Sequence, residues 1–128
     1  MRRGVLAGLA GIVLILGLAA CGGGGGSSSG SQPAGSIKVT MSDYKFSPST
    51  ITAKSGSVTI LLVNSGSVSH DMVVFNADRS KTLGRSDLIQ PGDSGQLTVN
   101  NLAAGSYPFI CDQPGHEAQG MKGTLEVS

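Results

Sequence analysis

The sequence predicts an all-β fold, a Greek-key β-sandwich of about seven to eight short strands. Apolar residues recur with a period of two from Ile37 onward, turn-forming clusters separate the runs, and no helical period of any length interrupts them. About 92 residues of this pattern suffice for one domain. A domain of that size buries only about 60–70% of its unfolded surface, so a staple beyond the apolar core would help it.

Ahead of the domain, Met1, Arg2 and Arg3 form a positive start, and residues 4–20 carry no charge up to the run Leu18-Ala19-Ala20-Cys21. This is the pattern of an export signal. It lacks the basic far flank of a spanning helix, because five glycines follow Cys21. The run is similar to a bacterial lipoprotein processing site, which implies cleavage after residue 20 and a lipid on Cys21. An uncleaved membrane anchor is the alternative, and either places the rest of the chain outside the cytoplasm. Residues 22–36 are Gly- and Ser-rich and cannot bury apolar surface; these 15 residues reach roughly 20 Å as a flexible coil. The expected organisation is a signal peptide over residues 1–20, a lipidated Cys and linker over 21–36, and a folded domain over 37–128.

Within the domain, Ile37, Val39 and Met41 alternate with Lys38, Thr40 and Ser42, and Val58, Ile60 and Leu62 repeat the pattern after Lys54-Ser55-Gly56. Further strands are expected over residues 72–75, 96–99, 106–111 and 122–127, bounded by Asn64-Ser65-Gly66, Pro91-Gly92-Asp93 and Ala104-Gly105. Residues 76–90 read as an irregular polar stretch with room for a short helical turn.

Composition narrows the function. The chain has nine Lys and Arg against eight Asp and Glu, and loss of Arg2 and Arg3 with the signal leaves seven against eight. Without a basic cluster there is no footprint for a nucleic-acid backbone. With Cys21 committed to lipid, Cys111 is the one remaining thiol in a compartment where thiols oxidise, which excludes a disulfide framework.

That thiol sits in the densest chemistry of the chain. In Cys111-Asp112-Gln113-Pro114-Gly115-His116-Glu117-Ala118-Gln119-Gly120-Met121, Cys, His and Met fall five residues apart. Alternation places Tyr107, Phe109 and Cys111 on one strand face, so the thiol emerges on the core side; Pro114-Gly115 turns the chain, and Gly120 and Gly123 permit a tight return. The only other His, His70, stands at a strand start that a sandwich brings to the same end. Each residue alone has a plain alternative, since a single buried Cys, His or Met is often packing. Together, two imidazoles, a thiolate and a long thioether are the donors of a blue-copper electron-transfer site. Zinc is the rival metal, though it prefers a fourth strong donor, which Asp71 or Asp112 supplies only by distorting the site.

The segment Cys-x-x-Pro-Gly-His followed by Met-Lys-Gly-Thr-Leu resembles the type 1 copper proteins, the cupredoxin family that includes azurin, plastocyanin, auracyanin and halocyanin. The resemblance covers residues 37–128. It implies one copper ion with His70, Cys111 and His116 as equatorial ligands and Met121 as the axial one, surrounded by Asp71, Asp112 and Pro114. The family usually has Asn after the first ligand His, bonded to the residue after the ligand Cys; here those positions hold Asp71 and Asp112, so one carboxyl should rise in pKa or turn outward.

The function this implies is a non-enzymatic, membrane-tethered blue copper protein that shuttles single electrons between redox partner proteins, such as a cytochrome, oxidase or reductase, as a monomer in the periplasm or at the cell surface. His116, among Pro114, Gly115, Ala118 and Gly120 and beside Val68, is the expected electron exit. Extracytoplasmic copper storage or delivery is the alternative, and a sandwich without metal a further one.

Overall fold

The computed structural model describes residues 32–128. The expected signal peptide, Cys21 and most of the linker lie outside the described residues, among which no helix is long and apolar enough to cross a membrane.

Nine strands form two sheets: β1 (Ile37–Ser42), β2 (Lys45–Ser47), β3 (Thr50–Ala53), β4 (Gly56–Asn64), β5 (Val73–Phe75), β6 (Thr82–Arg85), β7 (Ser94–Leu102), β8 (Gly105–Ile110) and β9 (Lys122–Val127). One sheet runs β2-β1-β4-β7 and the other β3-β9-β8-β5-β6. Both are mixed, because β1 pairs parallel with β4 and β3 parallel with β9 while the other pairs are antiparallel. The alternation reads directly into burial. Val39, Met41, Ile60 and Leu62 face inward, as do Leu97, Val99, Phe109 and Leu125, and they form one core between the sheets. Phe46 and Phe109 meet edge to face across it, centroids 5.1 Å apart.

Residues 76–90 depart from expectation. They hold no helical turn but carry β6, which pairs antiparallel with β5 at the sheet edge. Leu83 is its only large apolar residue and no position is fully buried, so an edge strand of this kind leaves no period in the sequence. The one helical turn among the described residues is a 3-10 helix, Glu117–Gln119, inside the loop between β8 and β9. It ends at Gly120, whose φ of 105° is the left-handed conformation that a side chain would resist.

Three connections meet at one end of the sandwich: the β1–β2 turn at Asp43 and Tyr44, the β4–β5 loop around His70, and the β8–β9 loop over residues 111–121.

Candidate metal centre

His70 is held by its backbone. Its N–H donates to the Ile89 carbonyl at 3.1 Å, and its carbonyl accepts from the Ile89 N–H at 2.8 Å. Beneath this loop, the buried Asn64 side chain donates to the carbonyls of Val68 and Ile89, both at 2.9 Å, and accepts from the Gly66 N–H at 2.9 Å. Its amide thus ties the β4–β5 loop to the segment at Ile89, between β6 and β7.

The β8–β9 loop is closed the same way. The Cys111 N–H donates to the Met121 carbonyl at 3.0 Å, and the Met121 N–H to the His116 carbonyl at 3.1 Å. Cys111, His116 and Met121 are thus three points of one hydrogen-bonded ring, with the turn at Pro114 exposed on its outer side.

The donor atoms converge. His70 Nδ1 lies 3.2 Å from His116 Nδ1 and 3.8 Å from Cys111 Sγ, which lies 3.4 Å from His116 Nδ1. One first-row ion bound at about 2.0 Å from nitrogen and 2.3 Å from sulfur brings its donors to roughly such separations. His70, Cys111 and Met121 are fully buried, while His116 is half-buried. The geometry therefore brings the three predicted strong donors together, with Met121 in the same core.

Burial pushes the Cys111 thiol up from its ordinary value, and the backbone N–H groups of Asp71 and Gln113 act against that by favouring the thiolate. Burial also lowers the His70 pKa, against the opposing effect of its hydrogen bond to the Asp43 carboxylate. A metal binds the neutral imidazole and the thiolate, so burial favours the binding form at His70 and opposes it at Cys111.

Asp71 and Asp112 resolve their conflict by the second of the two expected routes. The Asp112 side chain turns outward and is 48% exposed, whereas that of Asp71 is 5% exposed. The tie between the two loops survives this departure from the family pattern, because the Asp112 N–H donates to Asp71 Oδ1 at 2.7 Å. Arg85, at the end of β6, spans both carboxylates, with Nη1 at 3.3 Å from Asp71 and Nη2 at 2.7 Å from Asp112. The trace of this feature in the sequence was the pair of carboxylates; Arg85 was not singled out there.

Other neighbours of the site left no such trace. In the β1–β2 turn, Asp43 Oδ1 lies 3.2 Å from His70 Nε2, and the Tyr44 ring meets the His116 ring edge to face with centroids 4.9 Å apart. Arg79 pairs with Glu117, the residue after His116, at 2.6 Å.

A family model described as a cupredoxin-like domain matches residues 9–127. The chain belongs to that cupredoxin-like family. Copper is accordingly the cofactor of this cupredoxin, and the donor set of two imidazoles and a thiolate fits it. Among its relatives, auracyanin-B of Chloroflexus aurantiacus is 41% identical over 51 residues, 40% of this chain and 22% of that protein. The copper-resistant cuproprotein CopI of Rubrivivax gelatinosus is 30% identical over 107 residues, 71% of this chain and 65% of that protein. This cupredoxin thus spans less than two thirds of either curated relative. The auracyanin structure from Roseiflexus castenholzii superposes with a TM-score of 0.66 at 22% identity, over 76% of this chain and 99% of that one, a likeness of fold.

Proposed function

We propose that this cupredoxin is a one-electron carrier outside the cytoplasm, tethered to a membrane through a lipid on Cys21, and not an enzyme. The observation that carries the reading is the convergence of the His70, Cys111 and His116 donor atoms with Met121 in the same core, which supports the first three as strong ligands and Met121 as the weak axial one. Copper, when bound, supplies the one-electron couple. The chain's own part is to keep the ligands still and dry. His70 is pinned by Ile89, whose carbonyl Asn64 also holds, and the Cys111–Met121 ring is closed by its own hydrogen bonds. A rigid scaffold keeps the two oxidation states alike, which lowers the reorganisation needed for transfer. The half-buried His116 is the most exposed of the four proposed ligands and the route to a redox partner protein. The test is the optical and EPR spectrum of the Cu(II)-loaded protein beside Cys111→Ser. Intense visible absorption that vanishes in the variant is expected, and a colourless, ordinary Cu(II) spectrum in the wild type would overturn the reading.

The match to a copper-resistant cuproprotein favours one second reading, copper storage or delivery. Such a role needs metal to exchange easily. Met41, Met72, Met121 and His70 are all fully buried, which supports slow exchange instead. Rapid loss of copper to a chelator would favour storage or delivery over electron transfer.

A further inference from the structure

The β1–β2 turn reaches His70 from the side away from the other donors. Asp43 Oδ1 is 3.2 Å from His70 Nε2, while Nδ1 of the same ring faces Cys111 and His116. A proton on Nε2 satisfies this contact and leaves the Nδ1 lone pair directed at the other donors.

The carboxylate is not free to leave. The Ser67 N–H donates to both of its oxygens, at 2.9 and 3.1 Å; the Ser67 hydroxyl donates to Oδ2, and the Val68 N–H approaches Oδ1 at 3.4 Å. Gly66 provides an independent sign that the approach is built in. A Cβ at that position would lie 2.3 Å from Asp43 Oδ1 and 3.1 Å from His70 Nε2. Any side chain there would have to part the pair.

We propose that Asp43 is a positioning residue of the copper site, which fixes the His70 tautomer and, through its negative charge, favours the oxidised over the reduced state. This rests on His70 being a copper ligand. On reduction the site takes one electron from a redox partner and loses one unit of positive charge; no bond or proton is exchanged at Asp43. A nearby fixed anion therefore stabilises the oxidised site more and lowers the reduction potential. Tyr44, the next residue, braces His116, so one two-residue turn touches both imidazoles.

The test compares wild type, Asp43→Asn, Asp43→Ala and Gly66→Ala as copper-loaded proteins, by optical spectrum, by potential, and by 15N NMR of His70 in the reduced form. Asp43→Asn keeps an oxygen acceptor and loses the charge. It should retain the visible band and the Nε2–H tautomer, while the ratio of Cu(II) to Cu(I) affinity falls about tenfold, a rise of about 59 mV for a one-electron couple. Asp43→Ala should weaken copper binding by about 10–100-fold. Gly66→Ala should shift both the potential and the His70 resonances although Asp43 is intact. Should either of these last two fail to fold, Asp43→Asn still decides. An unchanged potential in Asp43→Asn, with only a lower unfolding midpoint of the metal-free protein, would mean a merely structural role and would overturn the inference. If wild type shows no blue band, the copper-carrier reading fails first; if wild type is blue and the potential of Asp43→Asn is unmoved, only the role of Asp43 fails.

Discussion

Replacing Arg85 by Met removes the cation shared by Asp71 and Asp112 while keeping the length of the side chain. The loss is not that of a bare surface pair. A hydrogen bond to a charged group contributes about 1.5–3 kcal/mol when shielded, whereas exposed ion pairs contribute about 0–1 kcal/mol. The Arg85 side chain is 49% exposed and that of Asp71 only 5%, so an intermediate cost of about 1–2 kcal/mol follows. For a domain of roughly a hundred residues, each kcal/mol is about 4–8 °C, and the melting temperature of metal-free Arg85→Met should drop by roughly 5–15 °C. The decisive arm is the double variant with Asp71→Asn. An amide oxygen still accepts from the Asp112 N–H but no longer needs a cation, so at least half of the lost stability should return. Chemical denaturation of the four proteins forms a double-mutant cycle. If Arg85→Met stays within about 0.5 kcal/mol of wild type, or if Asp71→Asn restores nothing, then Arg85 is not what makes a carboxylate tolerable at position 71.

Three further expectations follow from other contacts. Met121→Leu conserves volume at a fully buried position, so it should cost less than about 1.5 kcal/mol in denaturant titration, yet the copper-loaded form should shift in potential because a thioether donor is gone; an unmoved potential would make Met121 core packing alone. Asn64→Ala removes three hydrogen bonds, to the carbonyls of Val68 and Ile89 and from the Gly66 N–H, and leaves the Ile89 carbonyl with the His70 N–H alone; the expected loss is about 1–3 kcal/mol, with faster amide exchange across residues 65–70, and unchanged exchange would refute its role beneath the loop. Asp78 has its carboxyl held below the ordinary 3.8 by the Ser80 hydroxyl first and the Ser80 N–H second. Its folded pKa is thus below the unfolded one, so its contribution to stability is present above the unfolded value and is lost as pH falls through the folded one. Carboxyl NMR titration should place it under 3.8, and a value at or above that would contradict the Asp78–Ser80 contact.

The strands with a buried face were legible because every second residue is apolar: Val39 and Met41, Ile60 and Leu62, Leu97 and Val99. The short edge strands β2 and β6 were not, since Phe46 and Leu83 are single apolar residues among polar ones and edges are paired on one side only. The metal donors were legible through scarcity, because two His and one free thiol leave little choice. What lay beyond reading was the set of side chains from other segments that brace those donors. Asp43 is 27 residues from His70, and nothing in Ser42-Asp43-Tyr44-Lys45 distinguishes it from an ordinary turn. The carboxylate pair at 71 and 112 signalled a conflict, but not that Arg85 spans the two.

The parallel pairing of β3 with β9 has a consequence for how the protein is made. Thr50 faces Thr124 and Ala53 faces Val127, so β3 waits for a partner made more than seventy residues later. Long-range pairings of this kind make folding slow, because loop-closure entropy is spent before the contact is gained. β9 is also the far wall of the Cys111–Met121 ring, so none of the donors in that ring is held until β9 docks. His70 is synthesised well before the rest but has nothing to share an ion with until then. The three donors therefore share one place only after the two ends of the chain have paired.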